Sequence, residues 1–375
     1  MKKCIVVSDS FKGTLSSKEI CAIARETVAR YFPACELLTI PIADGGEGTV
    51  ECFAEALQAE TVKLTVHGPF GEPVEAAYCR KDKLAVIEMA AAAGLPLAGE
   101  RKNPALASTF GVGELMRHAI EQGAKELLLG LGGSATNDGG CGAAAALGVR
   151  FLDTEGQAFV PVGGTLHRIA AIDTSAADAL LRPVRVTVMC DVDDPLYGTQ
   201  GAAYVFAPQK GADAAMVQRL DEELRSFDRA LQAFLGVSAA SIPGSGAAGG
   251  MGAGCLAFFK ARLCPGIEMI LDAVHFDEQL CDADLVITGE GCIDAQSCHG
   301  KVLSGIAKRT GVRNVPLIVL AGRIGAGAEE SYALGVSKIY CINEDGSDLA
   351  YCRAHAKENY QNTLRKVLSI ENPYR

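Results

Sequence analysis

CIVVSDSFKGTLS occupies residues 4–16. Its apolar start, Cys4-Ile5-Val6-Val7, runs straight into polar Ser8-Asp9-Ser10, the pattern of a short strand buried on both faces. Ser16 or Ser17 then caps a helix through about residue 30, with Ile20, Ile23, Ala24 and Val28 on one face. Residues 37–40 repeat the strand pattern and end in Ala43-Asp44-Gly45-Gly46-Glu47-Gly48-Thr49, and a helix is expected over 49–57. The chain therefore opens β-α-β-α.

The same grammar returns at the far end. Residues 285–288 lead into Gly289-Glu290-Gly291, a helix follows Gly300-Lys301, and residues 317–320 lead into Gly322-Arg323. Residues 338–342 end in Asn343-Glu344-Asp345, and a last helix is expected over 349–368. Alternating strands and helices imply a doubly wound parallel sheet with right-handed crossovers. The middle differs. Runs at 62–66, 74–78 and 84–88 with short connections read as a meander. Glycine-rich helices follow near 109–122 and 137–148, and then a strand at 184–189 ending at Cys190-Asp191. The expected division is 1–66 with 266–375 as one discontinuous domain and 67–265 as an inserted α/β domain.

A chain of 375 residues is about twice the common domain size, which agrees with two domains. With 49% hydrophobic and 21% charged residues it can bury a sizeable core. A net charge of -10 opposes nucleic acid and anionic membrane as partners, and an anionic substrate would need local positive charge. The apolar run after Met1-Lys2-Lys3 is too short for an export signal, and no run approaches the roughly 18 apolar residues of a spanning helix. The 14 cysteines lack a CxxC pair and read as reduced thiols. A cytoplasmic protein is expected.

In open α/β sheets, ligands bind beyond the carboxyl ends of strands. Five predicted strand ends here carry Gly with charged residues, including Asp9 to Gly13, Asp44 to Gly48 and Gly289-Glu290-Gly291 with Asp294. The run LGLGGSATNDGG, residues 129–140, offers backbone N–H groups, the hydroxyls of Ser134 and Thr136, and a following helix N-terminus to a phosphate. Cys190-Asp191-Val192-Asp193-Asp194 sets three carboxylates just past a strand, as phosphoryl transfer needs for cation binding and for taking a proton from the attacking hydroxyl. Asp191 is nearest the strand. Other chemistries fit poorly. Gly244-Ser245-Gly246-Ala247-Ala248-Gly249 has GxGxxG spacing but follows Pro243 rather than a buried strand. Ala247 to Gly254 read instead as a mobile or phosphate-facing loop. Walker A and Gly-x-Ser-x-Gly are missing, and none of the six His has a metal-binding spacing. Spacing alone supports a phosphate-handling two-domain α/β enzyme.

A more specific reading comes from DSFKGTLS at 9–16, PIADGGEGT at 41–49, GPFGEPV at 68–74, EMAAAAGL at 88–95, NPALASTFGVGELM at 103–116, LGLGGSATNDGG at 129–140, CDVDDPLYG at 190–198, VFAPQKGA at 205–212, GSGAAGGMGAG at 244–254 and ITGEGCIDAQSCHGK at 287–301. Together they resemble the bacterial type-1 glycerate kinase family. Cys292 and Cys298 depart from its pattern, between motif residues. The resemblance implies a flavodoxin-like doubly wound parallel sheet domain formed by both chain ends, with a second α/β domain inserted. It implies ATP, Mg²⁺, D-glycerate as the small-molecule substrate and 2-phosphoglycerate as product, with a 3-kinase giving 3-phosphoglycerate as the alternative.

Within that resemblance, Gly130, Gly132, Gly133, Ser134, Thr136 and Lys301 are expected to handle ATP phosphates. Asp191, Asp44 and Glu47 are the candidates for Mg²⁺ binding and for accepting the hydroxyl proton, with Asp191 and Asp44 as metal ligands. Ser10, Lys12, Asp294 and Arg323 are expected at glycerate, with Lys12 or Arg323 on its carboxylate. Two rivals are weaker. Residues 130–135 look like the phosphate loop of galactokinase-type enzymes but depart at Gly133. A non-catalytic sugar-acid sensor would be expected to lose key charged groups, yet Lys12, Asp44, Glu47, Asp191, Asp294 and Lys301 are all present. The sequence leaves the oligomeric state open, a homo-oligomer included.

Overall fold

The computed structural model describes residues 1–11, 14–43, 45–295, 297, 301–343 and 348–370, with Lys301 and Leu349 described by backbone alone. In chain order its strands are β1 (Lys3–Ser8), β2 (Glu36–Pro41), β3 (Glu60–His67), β4 (Pro73–Lys81), β5 (Leu84–Glu88), β6 (Glu126–Gly130), β7 (Arg150–Leu152), β8 (Ala158–Phe159), β9 (Ala171–Asp173), β10 (Arg185–Met189), β11 (Arg262–Cys264), β12 (Leu285–Glu290), β13 (Leu317–Ala321) and β14 (Val336–Cys341). They belong to two compact units: Met1–Ala43, Glu55–Leu57 and Ile267–Arg375 in the first, Asp44–Ala54 and Gln58–Gly266 in the second.

The first unit holds a five-stranded sheet in the order β14-β13-β12-β1-β2. Every neighbouring pair is parallel, so strands from both chain ends share one sheet. Counted within the unit, this is the flavodoxin-like order 2-1-3-4-5. The apolar tetrad that suggested a strand covered on both faces is indeed covered: Cys4, Ile5, Val6 and Val7 are all 0% exposed. Burying side chains of this kind contributes about 1.5–3 kcal/mol each. The helix Ser17–Tyr31 starts with a reciprocal capping box, in which Glu19 N donates to Ser16 Oγ (3.2 Å) and Ser16 N donates to Glu19 Oε2 (2.8 Å). Its Ile20, Ile23 and Val28 join Val6, Ile287, Tyr360 and Leu364 in one apolar cluster.

The second unit is built on a six-stranded sheet, β11-β10-β6-β5-β4-β3. β3, β4 and β5 form the expected antiparallel meander, and β5, β6, β10 and β11 are parallel. β3 lies in this sheet rather than with the first unit, unlike the division expected at residue 66. Its whole length, from Glu60 opposite Arg80 to His67 opposite Pro73, pairs with β4. A small antiparallel sheet, β8-β7-β9, accompanies it. Its strands, of two or three residues, are too short to show alternation in the sequence. The core joins Leu127, Leu129, Val186 and Val188 to Leu115 and Met116 of the helix Phe110–Glu121 and to Leu224 and Phe227 of the helix Ala214–Leu235. No described helix is long and apolar enough to cross a membrane.

Candidate active site

In the second unit Glu88, Gly130, Met189 and Cys264 lie side by side in register at the carboxyl edge of the parallel strands. The chain leaving β6 and the chain leaving β10 both turn over this edge. They help enclose a pocket of about 220 Å³ whose walls include Gly133, Ser134, Asp191, Lys210, Ala247 and Ala248.

The glycines of the 129–140 run have separate physical reasons. A Cβ on Gly130 would lie 2.4 Å from Gly45 O, and one on Gly132 would lie 2.5 Å from Gly46 Cα. Gly132 N also donates to Gly45 O at 2.9 Å. These two glycines therefore let the 45–46 backbone pack directly on the run. Gly133 has φ +73°, a conformation that favours glycine. Main-chain bonds from Leu95 N to Gly133 O (2.9 Å) and from Ala135 N to Ala93 O (2.8 Å) hold the pocket wall.

The helix after this run, Cys141–Leu147, does not offer its N-terminus to a ligand. Asp138 occupies it: the buried carboxylate accepts from Gly140 N, Gly142 N, Thr109 N and Thr109 Oγ1 at 2.8–3.2 Å. Burial nevertheless pushes its pKa up, with those bonds opposing the rise. The positive element at the pocket is a side chain instead. Lys210, 2% exposed, donates from Nζ to Ser134 Oγ (2.8 Å) and to Thr136 O (2.7 Å). Desolvation pulls its pKa down to about 7, against the attraction of Asp138.

Asp191 is exposed on the pocket wall, and its Oδ1 accepts from Gly266 N at 3.2 Å. The GxGxxG-spaced segment also lines the pocket, through Ala247 and Ala248. Ala248 there has φ 55° and ψ 40°, strain of about 1–3 kcal/mol for a residue with a Cβ. Gly249 follows at φ +69°, where a Cβ would lie 2.1 Å from Thr136 O. Thr136 is fully buried, and it serves Lys210 through its carbonyl rather than the pocket through its hydroxyl. Glu47 is exposed. Glu88, at the end of β5, accepts from Val50 N (3.1 Å) at the start of the helix Thr49–Leu57, and burial raises its pKa. Asp44 lies outside the described residues.

The first unit has its own strand-end cluster, where the strand order reverses between β1 and β12. Asp9 and Ser10 end β1, half-buried, with Ser10 N donating to Asp9 Oδ1 at 2.6 Å. Glu290 ends β12. Desolvation pushes it up to about 7, a Ser297 hydrogen bond opposes this, and Asp9 and Asp294 add repulsion. Asp294 Oδ1 accepts from Ser297 N at 3.1 Å. Arg323 is exposed and its pKa is raised, by a bond to Cys292 first and by Asp294 least. Ile293 N donates to Arg323 O (2.9 Å), which ties the loop after β12 to the loop after β13. Ser10, Asp294 and Arg323 thus lie in neighbouring loops. Lys12 and the Lys301 side chain are outside the described residues.

Two groups escaped the sequence reading. Lys210 lies in VFAPQKGA, in a short turn, Pro208–Lys210, that ends no strand. Glu290 was visible only as part of a Gly-rich strand end. Nothing in the sequence marked either one as buried.

The glycerate kinase family model matches residues 4–371 of this chain. A protein named glycerate kinase from Bacillus cereus is 41% identical over 371 residues, covering 98% of this chain and 97% of that protein. One named glycerate 2-kinase from Escherichia coli is 40% identical, covering 91% of this chain and 90% of that protein. A crystal structure from Salmonella typhimurium LT2 carrying the provisional name glycerate kinase 2 superposes with a TM-score of 0.86 at 40% identity, covering 98% of this chain and 97% of that one.

Proposed function

This chain belongs to the glycerate kinase family, and from that premise we propose that it transfers the γ-phosphoryl group of ATP to the 2-hydroxyl of D-glycerate, giving 2-phosphoglycerate and ADP. The observation that carries the reading is the pocket in which Gly133 and Ser134, a carboxylate and a buried lysine meet at one sheet edge. The name of the Escherichia coli relative supports the 2-position.

Phosphoryl transfer is mostly positioning and charge neutralisation. Gly133 and Ser134 are assigned to the phosphates. Asp191 is exposed, lines the same pocket and fits Mg²⁺, which takes oxygen ligands and is commonly held by one or two carboxylates together with substrate phosphates. Bound there, the cation would neutralise charge on the phosphates. No group of three metal-capable side chains is found among the described residues, so phosphate oxygens and water would complete the shell. Asp44 is the second proposed ligand, and Lys301 is assigned to the phosphates as well. Ser10, Lys12, Asp294 and Arg323 are assigned to glycerate, with a cation on its carboxylate. Glu290, half-buried at the end of β12 with a pKa near 7, is suited to accept the hydroxyl proton. Asp191 and Glu47 are the other candidates for that proton. A cytoplasmic setting is proposed as well, in keeping with thirteen described cysteines that form no disulfide with one another.

The test is the product formed from D-glycerate, ATP and Mg²⁺, read by phosphorus-31 NMR. Phosphorus coupled to the single C2 proton is expected. Coupling to the two C3 protons would overturn the 2-position, and glycerate binding without ADP formation would favour the sugar-acid sensor.

A further inference from the structure

We propose that Lys210 is the cation that receives the nucleotide phosphates in this pocket, and that it takes up a proton as the nucleotide binds. The proposal rests on the kinase reading and adds a residue and a proton to it.

The argument starts from hydrogen-bond accounting. An ammonium has three donors. At Lys210 two of them are occupied by the neutral acceptors Ser134 Oγ and Thr136 O, at 2.8 and 2.7 Å. Among the described residues no carboxylate lies within ion-pair distance of it. Asp138 attracts it through space, but that carboxylate is occupied by four donors of its own. Among the described residues, Asp191 lines the same pocket, and exposed Lys102 abuts Gly211 through its backbone. A lysine 2% exposed with neutral partners would be an unexplained cost in a purely structural role, because a buried charge is tolerated only with compensation. It lines the pocket together with Gly133 and Ser134. The third donor is therefore assigned to a phosphate oxygen.

The proton follows from the same burial. With a pKa of about 7 before nucleotide binds, Lys210 is mostly neutral at pH 8.5. Anionic phosphate favours the charged form and moves the pKa back toward that of a solvated lysine. Binding at that pH then draws about one proton from the buffer. Nucleotide affinity is fully present below about pH 7 and declines as the pH rises above it.

The experiment is calorimetric titration of Mg·ADP into the whole protein at pH 8.5, in buffers of different ionisation enthalpy. Phosphates and ordinary carboxylates are ionised in both states at that pH, so proton uptake reports a protein group. Uptake approaching one proton is expected in the wild type. In Lys210→Met it should vanish, with affinity weakened roughly ten- to hundredfold, the scale of a charged hydrogen bond. Lys210→Arg, which cannot lose its proton, should bind without uptake. Binding without uptake in the wild type overturns this proposal and leaves the kinase reading standing. Uptake that persists in a folded Lys210→Met protein does the same. Absence of any nucleotide binding by the wild type overturns both. Should neither variant fold, carbon-13 NMR of the lysine side chains in the wild type decides. One lysine titrating near pH 7 that moves to higher pH with Mg·ADP is expected, and its absence contradicts the proposal.

Discussion

Lys210 in the second unit and Glu290 in the first carry opposite charges, yet burial drives both to a pKa of about 7. The lysine meets neutral acceptors in a pocket wall. The glutamate ends a strand, with Asp9 and Asp294 adding repulsion. In each case desolvation is the leading cause, and the nearest opposing interaction is too weak to cancel it. The difference lies in what a ligand would do. A phosphate would return Lys210 to its charged form, whereas a nearby donor hydroxyl could hand Glu290 a proton. On the reading proposed above, one site receives negative charge and the other a proton.

The most severe way to break the phosphate side of that contrast is Asp191→Asn, which keeps the size and removes the charge. kcat should fall about 10²–10⁴-fold, the range for loss of a general base, one of the two roles for which Asp191 is a candidate, with the circular dichroism spectrum unchanged. Near-normal kcat in the folded variant would remove Asp191 from the chemistry. Next in size is the loss of nucleotide affinity in Lys210→Met described above, read as Kd for Mg·ADP.

The two burial costs should also separate by pH in the ligand-free protein. The folded pKa of Lys210 lies below its unfolded value, so its charge costs stability below pH 7 and the cost fades toward the usual lysine pKa of about 10.5. The folded pKa of Glu290 lies above its unfolded value, so its cost is absent below about pH 4.5 and complete above pH 7. Relative to wild type, the Tm of Lys210→Met should therefore be higher at pH 6 than at pH 9.5. The Tm of Glu290→Gln should be higher at pH 8 than at pH 4.5. Each kcal/mol is worth about 2–4 °C in a unit of this size. Parallel pH trends in the two variants would contradict the contrast. The smallest effect expected is at Ser16, whose hydroxyl caps a helix of the first unit. Ser16→Ala should cost about 1 kcal/mol in thermal or denaturant unfolding and leave Kd for Mg·ADP unchanged.

Much of this molecule can be read from local patterns. The tetrad Cys4 to Val7, the cap at Ser16 and the strand-end glycines predict the parallel sheet of the first unit because buried parallel strands and capped helices leave local signatures. β7, β8 and β9 leave none, being too short for a period. The meander of β3, β4 and β5 is legible, but the division expected at residue 66 cuts β3 away from it, because a unit boundary leaves no local hydrophobic period. The candidate site divides in the same way. Ser134 and Asp191 are legible because they follow strands. The helix N-terminus expected to serve phosphate is filled by Asp138, and Lys210 supplies the positive charge from a different element. Long-range placement of this kind, linking residue 210 to residues 134 and 136, has no local sequence period.

The most direct test of the central claim, that this pocket is where the nucleotide binds, is amide hydrogen exchange with and without Mg·ADP. Exchange is predicted to slow at residues 131–134, 206–210 and 247–248, the segments that line the pocket. Nucleotide binding that leaves all three segments exchanging at their free rates would contradict the account.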